Sequence, residues 1–196
     1  MKEKKMLTIL GSPHPEGTTA AMLSCAEEAA RKAGWTVEHI DLYQENLALC
    51  SGCRACLKTG GCVQEDGIGR IASLIRECDM VALAAPVYWA NVPAVVKNMF
   101  DRLLGTAMEE TPTFPRPRLS GRRYVLLTAC KTPFPFSWIF GQSRGALRSM
   151  DEFFRTAGMK CAGRFVCANT ERRKGPSKAL RRRITRCWEE RTGTSD

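Results

Sequence analysis

One segment near the N-terminus combines residue types suited to anion binding. The run Gly11–Thr19 joins an apolar stretch to a helical pattern and contains hydroxyls, an imidazole and a small turn residue, namely Ser12, His14, Gly17, Thr18 and Thr19. Free N–H groups and the dipole at a helix N-terminus attract anions. The run lacks the lysine of a P-loop and the glycine spacing of a dinucleotide fingerprint. It predicts either a monophosphate site or an ordinary turn whose threonines cap the helix.

A second candidate segment, from Pro86 to Pro93, is rich in aromatic residues and follows an apolar run. Tyr88 and Trp89 offer flat apolar surface to a ring system, while the prolines stiffen the turn and its N–H groups can reach a polar ring edge. The alternative is that these aromatics belong to the core or to a subunit interface. The candidate ligand-binding residues are Pro86, Val87, Tyr88, Trp89 and Asn91.

Four cysteines form a third group with the spacing C-x2-C-x2-C-x5-C, namely Cys50, Cys53, Cys56 and Cys62. Thiolates this close on a glycine-containing loop can enclose a [4Fe–4S] cluster. Zinc also accepts four thiolates, although this spacing is tighter than in most structural zinc sites. The third alternative is that the loop binds no metal. Basic neighbours, Arg54 and Lys58, favour the thiolate form.

Short apolar runs alternate with longer segments of helical periodicity along the chain. The pattern predicts strands at 5–10, 35–40, 80–85, 124–129 and 161–168, and helices at 18–33, 68–77, 92–104, 145–157 and 177–188. Alternating strands and helices indicate a parallel sheet covered on both faces. We therefore expect a flavodoxin-like, doubly wound, five-stranded sheet of order 2-1-3-4-5, formed by one domain over residues 1–196.

This strand order brings the first two candidate segments together. The first and third strands are neighbours, and ligands of such sheets bind outside the carboxyl ends of the strands. A phosphate site beside a surface for a planar ring suits flavin mononucleotide, FMN, better than either segment does alone.

Composition and charge indicate the cellular compartment and the class of binding partner. The 196 residues carry a net charge of +10, and the apolar runs are too short for a signal peptide or a membrane span. We therefore expect a cytoplasmic protein without a membrane partner, whose ten cysteines are thiols or metal ligands. The basic helix 177–188 raises the alternative of nucleic-acid binding, but such runs are more often solvated helix faces.

The three segments together resemble the NADPH-dependent FMN reductase and iron–sulfur flavoprotein group. The similarity lies in Gly11–Thr19, in Pro86–Pro93 with Lys97 and Asp101-Arg102, and in the cysteine segment through Asp66. It implies an FMN phosphate held by Ser12, Thr18 and Thr19, and isoalloxazine contacts from residues 86–91. It further implies a flavin-side contribution from Thr128 and Ala129. His14 and Thr18 depart from the residues that the group often has there.

The resemblance implies an FMN-dependent NAD(P)H oxidoreductase that reduces flavin, quinone or nitro-type acceptors, with hydride passing to and from FMN. No side chain is assigned as a catalytic acid or base. The alternative is an electron carrier with FMN and a [4Fe–4S] cluster on Cys50–Cys62, which would exchange electrons with a ferredoxin-like partner. The group also implies a homodimer or higher homo-oligomer. Residues 131–138, rich in proline and aromatics, are expected to form a lid or a dimer contact.

Overall fold

A computed structural model describes residues 3–173 and 175–189. Its central sheet contains five parallel strands, β1 (Lys5–Leu10), β2 (Thr36–Asp41), β3 (Met80–Pro86), β6 (Arg123–Ala129) and β7 (Lys160–Cys167). Their order is β2-β1-β3-β6-β7, which confirms the predicted flavodoxin-like order and the position of β2 at an edge. The central strand β3 is buried from Met80 to Ala85 because both faces of the sheet are covered.

Two of the described helices cover one face of the sheet, and three cover the other. On one face, α1 (Thr18–Lys32) and α8 (Lys178–Glu189) pack together over the sheet through side chains such as Met22, Ile184 and Trp188. The other face is covered by α3 (Ile68–Glu77), α4 (Ala94–Arg102) and α7 (Gln142–Thr156). The helix predictions at 68–77 and 177–188 match within one residue, and α1 ends before Gly34, which has a left-handed φ of 78°.

The structure adds short elements that the sequence pattern did not indicate. They are the helices α2 (Ala55–Thr59), α5 (Leu104–Ala107) and α6 (Phe136–Ile139), and an antiparallel pair, β4 (Met108–Glu109) with β5 (Arg116–Pro117). The predicted helix 92–104 is split between α4 and α5, with Pro93 preceding the first helical residue. Elements of two to five residues are too short to show a hydrophobic period. Among the described helices, none is both long and apolar enough to cross a membrane.

Candidate functional site

Backbone hydrogen bonds tie the carboxyl ends of three neighbouring strands together. The Gly11 N–H donates to the Ala84 carbonyl at 2.8 Å, and the Val87 N–H donates to the Ala129 carbonyl at 3.0 Å. The loops that follow β1, β3 and β6 therefore leave the sheet from one edge, which we call the carboxyl edge. The structure brings the first two candidate segments together there, along with Thr128 and Ala129.

The loop after β1 presents the start of α1 without a side-chain cap. Its turn is closed by the Gly17 N–H, which donates to the His14 carbonyl at 3.0 Å, and by the Ser12 hydroxyl, which accepts from the His14 N–H at 3.2 Å. Gly17 is the N-cap residue, and no acidic residue lies in the first turn. The first N–H groups of a helix have no partner within the helix, so the first turn from Thr18 offers donors to an external anion.

The hydroxyl-bearing residues of this loop differ in exposure. Ser12 and Thr19 are buried, Thr18 is half-buried and His14 is exposed. His14 contributes to the turn through its backbone, and the loop holds no lysine or arginine to pair with a phosphate. An anion here would therefore rely on N–H groups and hydroxyls.

The aromatic loop after β3 is a tight turn with a strained backbone. Tyr88 and Asn91 exchange two backbone hydrogen bonds, of 2.8 and 2.9 Å. The two central residues, Trp89 and Ala90, have φ values of 51° and 57°, a left-handed conformation that is costly for side chains larger than glycine. Such strain persists only where surrounding structure enforces it, and it is concentrated at ligand sites. Here it leaves the Trp89 ring fully exposed.

Gly145 in α7 is the residue that fixes this turn, and sequence reasoning did not identify it. A Cβ atom on Gly145 would lie 2.1 Å from the Ala90 carbonyl oxygen, so only glycine lets the turn approach the helix this closely. A glycine inside a helical pattern was the available signal.

The carboxyl edge fits FMN on two observations. The uncapped first turn of α1 lies one strand away from the aromatic turn, as a phosphate and a ring of one ligand require. In addition, the Thr128 hydroxyl is fully buried at the end of β6 and has no hydrogen-bond partner. A buried polar group without a hydrogen-bond partner is rare in folded proteins, and a ligand that supplies the missing partner is one explanation for it.

The cysteine loop, Cys50–Cys62, is held at both ends by buried side chains of α4. At its start, the Cys50 N–H donates to the Asn98 side-chain oxygen at 3.0 Å. At its end, the Arg102 Nε donates to the Cys62 sulfur at 3.0 Å. The sequence indicated Arg102 only through the resemblance, and it did not indicate Asn98.

Arg102 also forms a buried ion pair with Asp66. Two guanidinium nitrogens donate to the two carboxylate oxygens at 2.9 Å each, and the Arg102 side chain is fully buried. Burial acts to raise the pKa of Asp66, but hydrogen bonds from Arg102 and from the N–H groups of Ile68 and Ala48 outweigh it and lower this pKa. The pair therefore remains charged and fixes the end of the loop.

The thiols of the loop differ from the other cysteines. Cys50 and Cys53 are exposed, and the Ala55 N–H lowers the pKa of the Cys53 thiol. By contrast, burial raises the pKa of Cys78 to about 12 and also raises that of Cys167. The two exposed loop thiols thus contrast with these buried cysteines, which lie in the apolar surroundings of a small hydrophobic side chain.

The thiol groups of the loop do not converge on a common point. Within residues 3–173 and 175–189, no three His, Cys, Asp or Glu side chains are placed together as metal ligands. The donor chemistry of four thiols suits a cluster or zinc, whereas their arrangement fits neither.

An apolar cleft of about 630 Å³ lies beside this loop and away from the carboxyl edge. Its wall includes the stacked rings of Phe100 and Phe153, whose centroids are 4.5 Å apart. Charged groups of both signs, Lys97, Asp101 and Glu152, also line it.

Solved structures share this fold. An NAD(P)H:quinone oxidoreductase from Methanothermobacter marburgensis superposes with a TM-score of 0.73 at 19% identity, covering 96% of this chain and 97% of that chain. An azoreductase from Bacillus anthracis superposes with a TM-score of 0.69 at 18% identity, covering 95% and 96%. At these identities the likeness concerns the fold.

Curated sequences give a closer but shorter match. An iron–sulfur flavoprotein of Archaeoglobus fulgidus is 37% identical over 118 residues, which is 60% of this chain and 50% of the relative. The chain thus aligns with about half the length of that protein. The model of the family described as NADPH-dependent FMN reductase matches residues 4–127, a range that contains all three candidate segments and ends just before Thr128 and Ala129. The chain therefore belongs to the NADPH-dependent FMN reductase family.

Proposed function

We propose that this protein is an FMN-dependent NAD(P)H oxidoreductase that reduces small acceptors of the flavin, quinone, azo or nitro class. The observation that carries the proposal is the carboxyl edge, where an uncapped helix N-terminus adjoins a strained aromatic turn. Membership of the FMN reductase family supports the cofactor. The names of the two structural neighbours, a quinone oxidoreductase and an azoreductase, support the class of acceptor.

Each part of the edge has a role in this proposal. The first turn of α1 and the Ser12 and Thr18 hydroxyls hold the phosphate. The turn Pro86–Asn91 lies against the ring and presents N–H groups to its polar edge, and Thr128 and Ala129 complete the far side. When bound, FMN accepts a hydride from NAD(P)H and passes electrons to the acceptor.

No side chain is assigned to proton transfer. His14 belongs to the phosphate loop through its backbone. His39 lies on β2, where its Nδ1 is 2.8 Å from a Glu27 carboxylate oxygen. This ring nitrogen is therefore engaged within the protein. The protein's contribution is therefore binding and orientation of the cofactor and its two substrates.

The test is an anaerobic half-reaction on protein loaded with FMN. NADPH or NADH should bleach the flavin absorbance, and a water-soluble quinone should then restore it. A bound flavin that dithionite reduces but neither nicotinamide reduces would contradict the reductase and favour the electron carrier described next.

The second candidate is an iron–sulfur flavoprotein that exchanges electrons with a ferredoxin-like partner. It is favoured by the four-cysteine loop, which buried Asn98 and Arg102 hold at both ends, and by the name of the Archaeoglobus relative. Iron and acid-labile sulfide should be assayed on protein purified without oxygen. About four of each per chain would establish this candidate, whereas flavin without iron would leave the plain reductase.

We further propose that the chain forms one FMN-binding domain that assembles as a homodimer or higher homo-oligomer. The cleft beside Phe100 and Phe153 offers an apolar face for a second copy. Since Lys97 and Glu152 both line it, a two-fold axis could pair opposite charges across such an interface. Sedimentation equilibrium would measure the mass, and a concentration-independent monomer would contradict the assembly.

A further inference from the structure

A group of exposed apolar side chains lies between β6 and α7. We call it the aromatic flap, and it consists of Phe134, Phe136, Trp138, Ile139 and Phe140. Phe134, Ile139 and Phe140 are 75%, 60% and 68% exposed. Five large apolar residues within seven positions form a continuous patch rather than the scattered exposure common on protein surfaces, and such patches mark interaction sites.

The flap has a fixed conformation, although its side chains face solvent. The Ser143 hydroxyl at the start of α7 donates to the Ser137 carbonyl at 3.1 Å, and both residues are buried. The Ser137 N–H donates to the Pro133 carbonyl at 3.0 Å, which closes the turn that leads into α6. The protein therefore displays these side chains on a supported turn, whose backbone loses little further entropy on binding.

Exposed arginines lie on the two segments next to the flap, together with an ion pair between Lys131 and Glu171. Arg144 and Arg148 on α7 are exposed, as are Arg172 and Arg173 in the loop after β7. That loop lies beside the flap's own segment, because the Asn169 N–H donates to the Thr132 carbonyl at 3.3 Å. Within the described residues, none of these four arginines forms a salt bridge with a carboxylate.

The geometry points to the surface of an anionic lipid bilayer as the partner of this flap. We propose that the aromatic and Ile139 side chains enter the headgroup region while the surrounding arginines contact lipid phosphates. Aromatic rings and cationic side chains are the pair of features with which monotopic proteins hold a bilayer surface. This contact needs no spanning helix, so it is compatible with the lack of one among the described residues. It departs from two expectations from the sequence, that the protein has no membrane partner and that residues 131–138 form a lid or a dimer contact.

A second copy of the chain suits this surface less well. In a two-fold symmetric contact the same patch meets itself, so the arginines beside both flaps would gather at one interface. The cleft beside Phe100 carries both signs of charge and does not have this difficulty. The two apolar surfaces thus differ in the partner that their charges suit.

Single-stranded nucleic acid is also less suited to the flap. Base stacking requires open ring faces, yet Phe136 and Phe140 stack on each other with centroids 6.0 Å apart. The Arg144 guanidinium lies over the Trp138 ring, 6.0 Å from its centroid. These contacts occupy one face of each of three rings, which leaves less ring surface for bases to stack on.

Vesicle sedimentation of the full chain tests the proposal. Vesicles of phosphatidylcholine alone are compared with vesicles that contain phosphatidylglycerol as a minor component, at low and at physiological salt. We expect binding to the anionic vesicles, weakened by salt. The double variant F134S/F140S should lose about tenfold or more in partition coefficient, and R144Q/R148Q should lose about fivefold for each charge removed.

Two matched variants control for general effects. Phe114→Ser removes another exposed ring, remote in sequence on the β4–β5 loop, and R182Q/R186Q removes two cations from α8. Both should bind as the unchanged protein does, and thermal melts should show that every variant is folded.

Three results would overturn the proposal. They are binding to neither vesicle at low salt, equal binding by the flap variants and the controls, and a dimer that dissociates in F134S/F140S. The last result would assign the flap to a second copy. Tight binding of a fluorescent oligothymidine that is lost in the same variants would assign it to nucleic acid instead.

Discussion

The carboxyl edge and the cysteine loop are built in different ways. At the carboxyl edge, the candidate contacts are mostly backbone groups, and hydrogen bonds between neighbouring strand ends fix their positions. In the cysteine loop the chemistry lies in side chains. Asn98 and Arg102 anchor the two ends of that loop, and Arg76 donates to the Gly60 carbonyl within it, yet its thiols do not converge.

The two regions differ in how far the fold alone positions their groups. A backbone-built site follows from strand order, because the sheet that positions it is also the core. A side-chain site depends on what it binds, since four thiolates gather only around a metal that neutralises their charge. We therefore expect mutations at the carboxyl edge to act on ligand affinity, and mutations at the loop anchors to act first on folding.

The largest expected effect is that of Arg102→Met. It leaves the Asp66 carboxylate, whose side chain is only 10% exposed, without its partner, and removal of one member of a buried pair costs about 3–5 kcal/mol. Urea denaturation followed by circular dichroism would measure the loss in free energy of unfolding.

Arg70→Met is the matched control for this variant. Arg70 pairs with Glu45 at 2.7 Å but is 55% exposed, so we expect a loss of at most about 1 kcal/mol. If R102M were as stable as R70M, the loop would not depend on its buried anchor and the contrast between the two regions would be lost.

A smaller effect, confined to the carboxyl edge, is expected for Gly145→Ala. The added methyl group would overlap the Ala90 carbonyl, and overpacking of this kind costs about 1–3 kcal/mol. Because the turn can move more easily than the helix, we expect FMN affinity to fall about tenfold, as measured by flavin fluorescence.

Gly69→Ala is its control, since a Cβ on Gly69 in α3 would meet nothing within 4 Å. This variant should bind FMN normally and gain up to about 1 kcal/mol of stability. Unchanged FMN affinity in G145A would show that the aromatic turn does not form part of the site.

The smallest expected effect is a pH dependence of stability at the edge strand β2, which belongs to neither region. The hydrogen bond to Glu27 raises the pKa of His39 against the opposing effect of burial. Burial acts to raise the pKa of Glu27, but hydrogen bonds from His39 and Thr8 lower it overall.

The two pKa shifts define a pH range in which the His39–Glu27 pair stabilises the folded state. The contribution of His39 is fully present below its ordinary pKa of 6.5 and is lost as pH rises through the higher folded-state pKa. That of Glu27 is present above 4.5 and is lost as pH falls through its lower folded-state pKa. His39→Gln should therefore cost most between these values, at about 1 kcal/mol or less because the pair is partly exposed. A cost that rises from pH 6 to pH 9 would contradict the sign.

The strand order and the backbone-built edge that depends on it could be predicted from the sequence, whereas contacts made by tertiary structure could not. Apolar runs such as Met80–Ala85 and their bounding turns specify the order of strands, and that order specifies where Gly11–Thr19 and Pro86–Pro93 meet. The turn at Trp89 and Ala90 could not be predicted, because neither residue is the glycine or asparagine that normally marks two left-handed positions. Arg102 resembles any cation at the end of a helix until Asp66 and Cys62 are placed beside it by tertiary structure.

The phosphate role of the α1 N-terminus is tested by measuring affinity for FMN and for riboflavin, which lacks the phosphate. Both ligands are titrated into the unchanged protein and into Thr18→Asp. A carboxylate in the uncapped first turn of α1 occupies its N–H groups and repels a phosphate. We predict that the unchanged protein prefers FMN by about tenfold to a hundredfold, and that T18D loses this preference while its affinity for riboflavin is unchanged. Equal affinity for the two flavins in the unchanged protein, or a preference that survives in T18D, would contradict the account.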